Sequence, residues 1–361
     1  MIGGLQRALD SLFGRGEAAV TVPPLDGALR PNRALDEATE RFPLDGVDSL
    51  AVVGGRLVAS AGRSLYRLEG ADWHEHAAHD AAVAAICPIG EDGLAVALTT
   101  GKIVVAGGQF DGRRYTASDK LGCITAIVAD GAALYVANGS ATNGADAWER
   151  DLLERNASGS LWRIDLASGA STRLSSGLAW PAGLSVSAGA LTFSEAWKHH
   201  IARLEIARPA TPQLLYSDLP AYPGRLAPAV DGFWLALFAP RSQLVEFVLR
   251  EPGYRRRMMA EVPQSFWVSP KLRSGRSFYE SLQGGGVKHL GMLKPWAPTM
   301  SAGLCVRLDS AFQPRSSVQS RADGGTHGVT AMVEHQGRLF VAARGDGVVV
   351  ALPLADIGDE A

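Results

Sequence analysis

Cysteine is scarce: 361 residues contain only Cys87, Cys123 and Cys305. They are far apart, with no Cys-x-x-Cys pair and no Cys/His cluster. That excludes a disulfide-built scaffold and a thiolate zinc site of ordinary spacing. An odd number without a secretory signal points to a reducing compartment and buried free thiols. Excess charge of one sign is also missing. Lys and Arg total 35 against 37 Asp and Glu, a formal net charge of −2. This excludes a strongly basic nucleic-acid binder and an acidic tail protein. No apolar run approaches the roughly 20 residues that a membrane helix requires, so no membrane span is expected.

Residues 1–14 place Leu5, Leu9, Leu12 and Phe13 at helical spacing with charges between them. The segment predicts a short helix and lacks the unbroken apolar stretch of a secretory signal, so a cytoplasmic location is expected. Its small positive charge would give only weak attraction to a membrane surface. Asn138-Gly-Ser and Asn156-Ala-Ser then carry no meaning as glycosylation sites. No Gly-x-Ser-x-Gly elbow occurs, and Gly284-Gly285-Gly286 is not followed by Lys-Ser/Thr, so a serine-hydrolase elbow and a phosphate loop are both unsupported.

What the sequence does have is 47% apolar residues, 41 glycines, and short apolar runs in pairs. The pairs are 50–53 with 56–60, 83–89 with 93–98, 124–130 with 133–138, 183–187 with 190–195, 225–230 with 233–238, and 328–335 with 338–344. Each pair is split by a tight, glycine-containing turn, the signal of a β-hairpin. A third run follows each pair, as in SLYRLEG (64–70) and SLWRIDL (160–166), and a fourth leads to a polar break. Four strands in about 40 residues, repeated, is the pattern of a propeller blade. The sixth unit lacks its fourth strand. Residues 36–46, DEATERFPLDG, stand in the right place to supply it and to close the ring, which removes exposed sheet edges. The sequence thus predicts an all-β, six-bladed β-propeller of four-stranded antiparallel blades. A 1–35 extension precedes the propeller of 36–354, and a 355–361 tail follows it.

Two units are longer than the rest. Residues 139–158 hold a short helix around Trp148, Leu152 and Leu153. Residues 243–303 begin as an amphipathic helix broken near Pro252 and could form a lid over one rim. The cluster Arg255–Arg257 reads as a solvated face. Trp234, Trp267 and Trp296 are candidates for a hydrophobic entrance, with core packing the commoner fate of such rings.

The middle of the chain, DLLERNASGSLWRIDLASGASTRLSSGLAWPAGLSVSAGALTFSEAWKHHIARLEI, resembles the strictosidine synthase-like family. That family's pattern has a DLLE-type helix, an ASGRLLRYD strand, a GLxFPNGVA strand start and a VAET strand end. LPAYPGRLAPAVDGFWLALFAPRS and TAMVEHQGRLFVAAR continue the likeness, which runs from about residue 44 to residue 352. The family sits with the gluconolactonase and paraoxonase type of six-bladed propeller. The resemblance therefore implies a small-molecule enzyme acting in the central channel, a lactone or ester hydrolase or a related lyase.

In metal-dependent relatives, oxygen ligands at the starts of the inner strands hold a divalent cation that polarises the substrate carbonyl. By that resemblance the corresponding positions here are Asp48, Ala182 and Gly224. Ala and Gly offer no side-chain oxygen, so no metal is expected and Ca²⁺ is disfavoured. The base that strictosidine synthases use in Pictet–Spengler condensation corresponds to Thr330, whose hydroxyl cannot replace a carboxylate.

Inner-strand starts face the axis of a propeller. Read from the sequence, they are Asp48, Ala82, Cys123, Ala182, Arg225 and His327 or Thr330. His327 and Asp48 are the catalytic candidates, His327 because an imidazole titrates near working pH. Arg225 would fix an anionic group with paired hydrogen bonds. Thr330, Trp180 and Glu195 complete the expected substrate site. The competing reading is that Asp48 and Arg225 simply pair and plug the channel. Glu195 also fits a strand-end structural role. His199 and His200 are adjacent and so do not share a strand face, and His74, His76 and His79 read as an exposed outer strand without a metal set. A small-molecule partner is expected. The alternative is a non-catalytic propeller that binds a ligand or a partner protein.

Overall fold

The computed structural model describes residues 22–116, 121–276, 280, 288–289, 292–293 and 300–358. The helix expected over residues 1–14, Gly284–Gly286 and Trp296 lie outside the described residues.

Six four-stranded antiparallel sheets follow one another along the chain. Their innermost strands are Val47–Val53, Val83–Ile89, Ile124–Asp130, Pro181–Ser187, Ala221–Ala229 and Val329–His335. Each packs against the innermost strand of the next sheet, and the last packs against the first, so the sheets form a closed ring of six blades. The hairpin signals explain the local order. Gly54 and Gly55, at φ 55° and 69°, form the two-residue turn between Val53 and Arg56, a left-handed pair that glycine enters without a Cβ clash.

Glu40–Pro43 pairs antiparallel with Val348–Pro353, with Glu40 opposite Ala351 and Pro43 opposite Val348. The outermost strand of the last blade therefore comes from the beginning of the chain. Residues ahead of it are tied down as well. Asp36 accepts hydrogen bonds from Ser320 Oγ at 2.6 Å and from the amides of Arg321 and Gly325. Leu35 beside it is fully buried against the last two blades.

The core lies between blades. Ile103, Leu134, Val136, Leu161, Ile164 and Phe193 are fully buried on facing sheets. Each such side chain contributes about 1.5–3 kcal/mol by leaving water. One blade cannot bury both its faces, which is why the ring must close to be stable.

The two insertions sit together on one rim. Trp148–Glu154 is a helix, and Gln243–Arg250 and Pro252–Glu261 are two more, separated at Glu251 as the proline requires. Ser242 Oγ caps the first of these two by accepting from the Val245 amide. Leu152, Leu153, Val245, Val248, Met258 and Trp267 form one apolar cluster. Lys271 Nζ reaches Glu149 at 2.9 Å, and Arg255 Nη1 donates to the Leu153 carbonyl. Trp267 is 2% exposed in that cluster, and Trp234 is fully buried with its Nε1–H on Glu334. Neither ring lines an entrance, because both found apolar neighbours within reach. Among the described residues no helix is long and apolar enough to cross a membrane.

Candidate functional site

A single backbone device builds the centre of the ring. Every innermost strand carries a register shift near its start, where one residue, or two in the fifth blade, drops out of the ladder. The residues that drop out are Asp48, Ala84, Thr125, Ala182, the pair Gly224–Arg225, and Thr330. A bulge leaves its extra residue unpaired and re-aims it. Here all seven line one cavity of about 270 Å³.

The unpaired carbonyls at those bulges need donors, and Arg225 supplies them. Its Nη1 donates to the carbonyls of Asp48 at 2.7 Å and Thr330 at 3.3 Å. Its Nη2 donates to Asp48 Oδ2 at 2.6 Å and to the Ala84 carbonyl at 2.8 Å, and its Nε donates to the Thr125 carbonyl at 3.2 Å. A guanidinium has five N–H groups, and all five are used. Arg225 therefore has none left for an anionic ligand. The expected substrate contact is corrected: every N–H of the Arg225 guanidinium is engaged by Asp48 and the bulge carbonyls.

Asp48 is shared. Its Oδ1 accepts from Arg344 Nη1 at 2.9 Å while Oδ2 faces Arg225. Burial opposes its ionisation, but the charges and hydrogen bonds of the two arginines outweigh that and hold its carboxyl below the ordinary value. A carboxylate gripped from both sides is not poised to take a proton from a substrate. Arg344 differs from Arg225. Its side chain is 50% exposed, and among the described residues Asp48 is that side chain's one hydrogen-bond partner. Arg344 lines the cavity.

The wall of the cavity is aromatic. Trp180 lines it with Trp148 and Phe238. Trp180 and Trp197 have ring centroids 5.2 Å apart, and Trp148 meets Phe238 edge-on at 5.6 Å. Trp180 has φ 57°, a costly conformation for a bulky residue, and the surroundings hold it there. Its carbonyl accepts from the Ala196 amide, and a Cβ on Gly139 would come within 3.1 Å of its ring. Both insertions reach the same mouth: Ala145, Asp146 and Trp148 from one, Leu272 from the other. Thr330 lines the cavity, and its Oγ1 is buried without a hydrogen-bond partner among the described residues.

Glu195 stands outside the cavity lining. It accepts the Ala179 amide at 2.6 Å and lies 2.7 Å from His200 Nε2 and 2.9 Å from Lys198 Nζ. Burial works against its ionisation, and these three partners overcome it and lower its pKa. It thus holds the amide of Ala179, the residue before Trp180, and does not line the cavity.

His327 is also outside the cavity and fully buried. Its Nε2 lies 2.7 Å from the Arg321 carbonyl, which only accepts, so Nε2 carries the proton. Its Nδ1 accepts from Arg273 Nη1 and Ser301 Oγ, each at 2.8 Å. Burial, reinforced by Arg273, lowers its pKa and keeps it neutral. The expected catalytic histidine therefore pins Arg273, in the middle of the 243–303 insertion, and Ser301, near its end, to the segment that leads into the last blade. It precedes Val329, where the strand begins, and the bulge at Thr330 turns that residue to the axis instead. Cys123 misses the cavity lining for the same reason, with Thr125 in its place. Arg344, Asp146, Thr99 and Thr125 are polar lining residues that sequence spacing does not mark. A larger groove of about 540 Å³ lies on the outer rim between Arg30, Ser317 and Leu352, away from every converging bulge.

Calcium does not fit the hub. Both Asp48 oxygens face guanidinia, Ala182 and Gly224 bring no side-chain oxygen, and four bulge carbonyls are already taken by Arg225. Among the described residues no group of three or more His, Cys, Asp or Glu could hold a metal ion.

No family model matches the sequence, and no curated protein matches it. Solved structures do match in shape. The calcium-binding protein regucalcin of Agrobacterium tumefaciens is 13% identical, with 94% of this chain and 97% of that one covered and a TM-score of 0.54. A proposed gluconolactonase is 8% identical over 89% and 90% of the two chains, with a TM-score of 0.51. A luciferin-regenerating enzyme is 10% identical over 87% of each chain, with a TM-score of 0.50. At these identities the likeness establishes the fold alone, a six-bladed β-propeller.

Proposed function

We propose that the channel mouth binds a small organic acid with an apolar, ring-bearing body, without a divalent cation. One observation carries this reading. Arg344, half exposed and bonded through Nη1 to Asp48, lines the same cavity as Trp180, Trp148 and Phe238. A carboxylate accepts two parallel hydrogen bonds from a guanidinium, and a flat apolar body suits stacked rings. A pocket that is mostly apolar with few convergent polar groups is the ordinary form of a small-molecule site.

Tryptophan fluorescence tests it, since Trp148 and Trp180 sit in the wall. Titration with aromatic monocarboxylates and their methyl esters is expected to give saturable quenching by the acids and weaker binding of the esters. Arg344→Ala is expected to lose about 10–100-fold in affinity, the worth of a charged hydrogen bond. Equal binding of acid and ester, unmoved by that substitution, would sink the reading.

A second reading has its own observation. The Asp146 carboxylate lines the same mouth as Arg344. In lactone or ester hydrolysis, Arg344 would polarise the carbonyl and Asp146 would orient a water. The product of that reaction is a carboxylate, the group that Arg344 suits. The folds shared with a proposed gluconolactonase and a luciferin-regenerating enzyme support this reading. It predicts turnover of a lactone and aryl-ester panel in EDTA, lost in Asp146→Asn.

A further inference from the structure

We infer that the Arg225 guanidinium is the hub cation of this propeller, a tethered replacement for a bound metal ion that ties the inner strands to one point. The inference stands apart from the ligand reading, because a channel that binds no organic acid has the same hub.

The geometry starts from a problem. Four bulges bring the carbonyl oxygens of Asp48, Ala84, Thr125 and Thr330 together around one axis, next to the Asp48 carboxylate. Buried carbonyls without donors are costly, and converging oxygens repel one another. An oxygen cage of this kind calls for a cation. Arg225, from the fifth blade, meets it with five donors for five acceptors. The acceptors belong to the first, second, third and sixth blades. One side chain thus touches four foreign inner strands.

The fourth blade joins through backbone contact. Ser194 Oγ donates to the Gly224 carbonyl at 2.7 Å. Gly183 lies so close that a Cβ there would stand 2.3 Å from that same carbonyl oxygen. The residue next to Arg225 is therefore clamped by the one blade that Arg225 does not reach.

The chemistry suits arginine and no other residue. Lysine brings three donors on a point charge, too few and too compact for five acceptors spread over four strands. Guanidinium is planar, permanently charged and weakly hydrated, so it tolerates burial among fixed dipoles. The carboxylate balances its charge.

The test is thermal unfolding of the full chain with and without calcium, EDTA and ethylguanidinium. Wild-type melting is expected to ignore calcium and EDTA. Arg225→Ala is expected to melt about 4–7 °C lower. Millimolar ethylguanidinium should recover part of that loss, because the hub opens onto the cavity, while ethylammonium should not. Should Arg225→Ala fail to fold, Arg225→Lys keeps the charge and is expected to melt well below wild type. A lysine variant that melts with wild type overturns the inference. So does a wild-type protein whose melting rises on adding calcium.

Discussion

Asp48 Oδ1 and Arg344 Nη1 lie 2.9 Å apart at the mouth of the channel, on the first and last blades. The same carboxylate holds Arg225 below, so one negative charge orients two positive ones, a net of +1 for the three groups (2 − 1). Asp48 thereby sets the pose of the one guanidinium that a ligand can meet. Asp48→Asn removes the charge and leaves two guanidinia facing each other. The expected loss is about 3–5 kcal/mol of stability, measured by urea unfolding, since the partner Arg225 stays buried. A loss below half a kcal/mol would show that the pair is not a structural hinge.

The pH dependence of stability follows from the imidazoles and carboxylates. Burial, with Arg241 and His200 adding to it, lowers the pKa of His199 to about 3. His327 is lowered in the same direction. The unfolded chain therefore binds these protons first, starting near the ordinary value of 6.5. Stability is full above that pH and falls as the pH drops toward 3. The depressed carboxyls of Asp48 and Glu195 add a further loss as the pH falls below the ordinary carboxylate range. His199→Gln is expected to flatten the slope of urea midpoint against pH between about 6 and 4. An unchanged slope would contradict the burial of a neutral His199.

Glu195 acts on the cavity at one remove. Glu195→Ala frees the Ala179 amide and removes the support beside Trp180, whose φ of 57° depends on its surroundings. The expected effects are a loss of about 1–3 kcal/mol in stability and a red shift of tryptophan emission as Trp180 gains water. Glu195→Gln, which still accepts the amide, should retain most of the emission. Identical spectra for wild type and the alanine variant would remove Glu195 from any positioning role.

Gly183→Ala tests the packing of the fourth blade on the fifth. The added methyl would stand 2.3 Å from the Gly224 carbonyl oxygen and 2.8 Å from the Leu226 nitrogen, both backbone atoms that cannot swing aside. A destabilisation of about 1–3 kcal/mol is expected, as for other overpacked sites. The same change at Gly189, where nothing stands within 4 Å but φ is 74°, should cost less and serves as the control.

The propeller was legible in the sequence because its evidence is local. Paired apolar runs and glycine turns report hairpins, and hairpins in sixfold repetition leave few topologies. The Gln243–Glu261 helices and their break at Pro252 were legible for the same reason. The channel was legible only in part. Asp48, Arg225, Thr330 and Trp180 do reach the cavity, whereas His327 and Glu195 do not. A β-bulge shifts which residue faces the axis by one or two places, and alternation alone carries no mark of it. Arg344 escaped notice because it ends the second strand of its blade, beside Gly328, and enters the channel from the neighbouring row.

The seam at Glu40–Pro43 has a consequence for how this protein is made. The last blade borrows its outermost strand from a segment synthesised some three hundred residues earlier. The ring therefore stays open on the ribosome until Val348–Pro353 emerges, and an unlatched N-terminal strand waits throughout. Truncation by a dozen residues at the tail end should release both ends at once, turning a closed wheel into an open, adhesive fan.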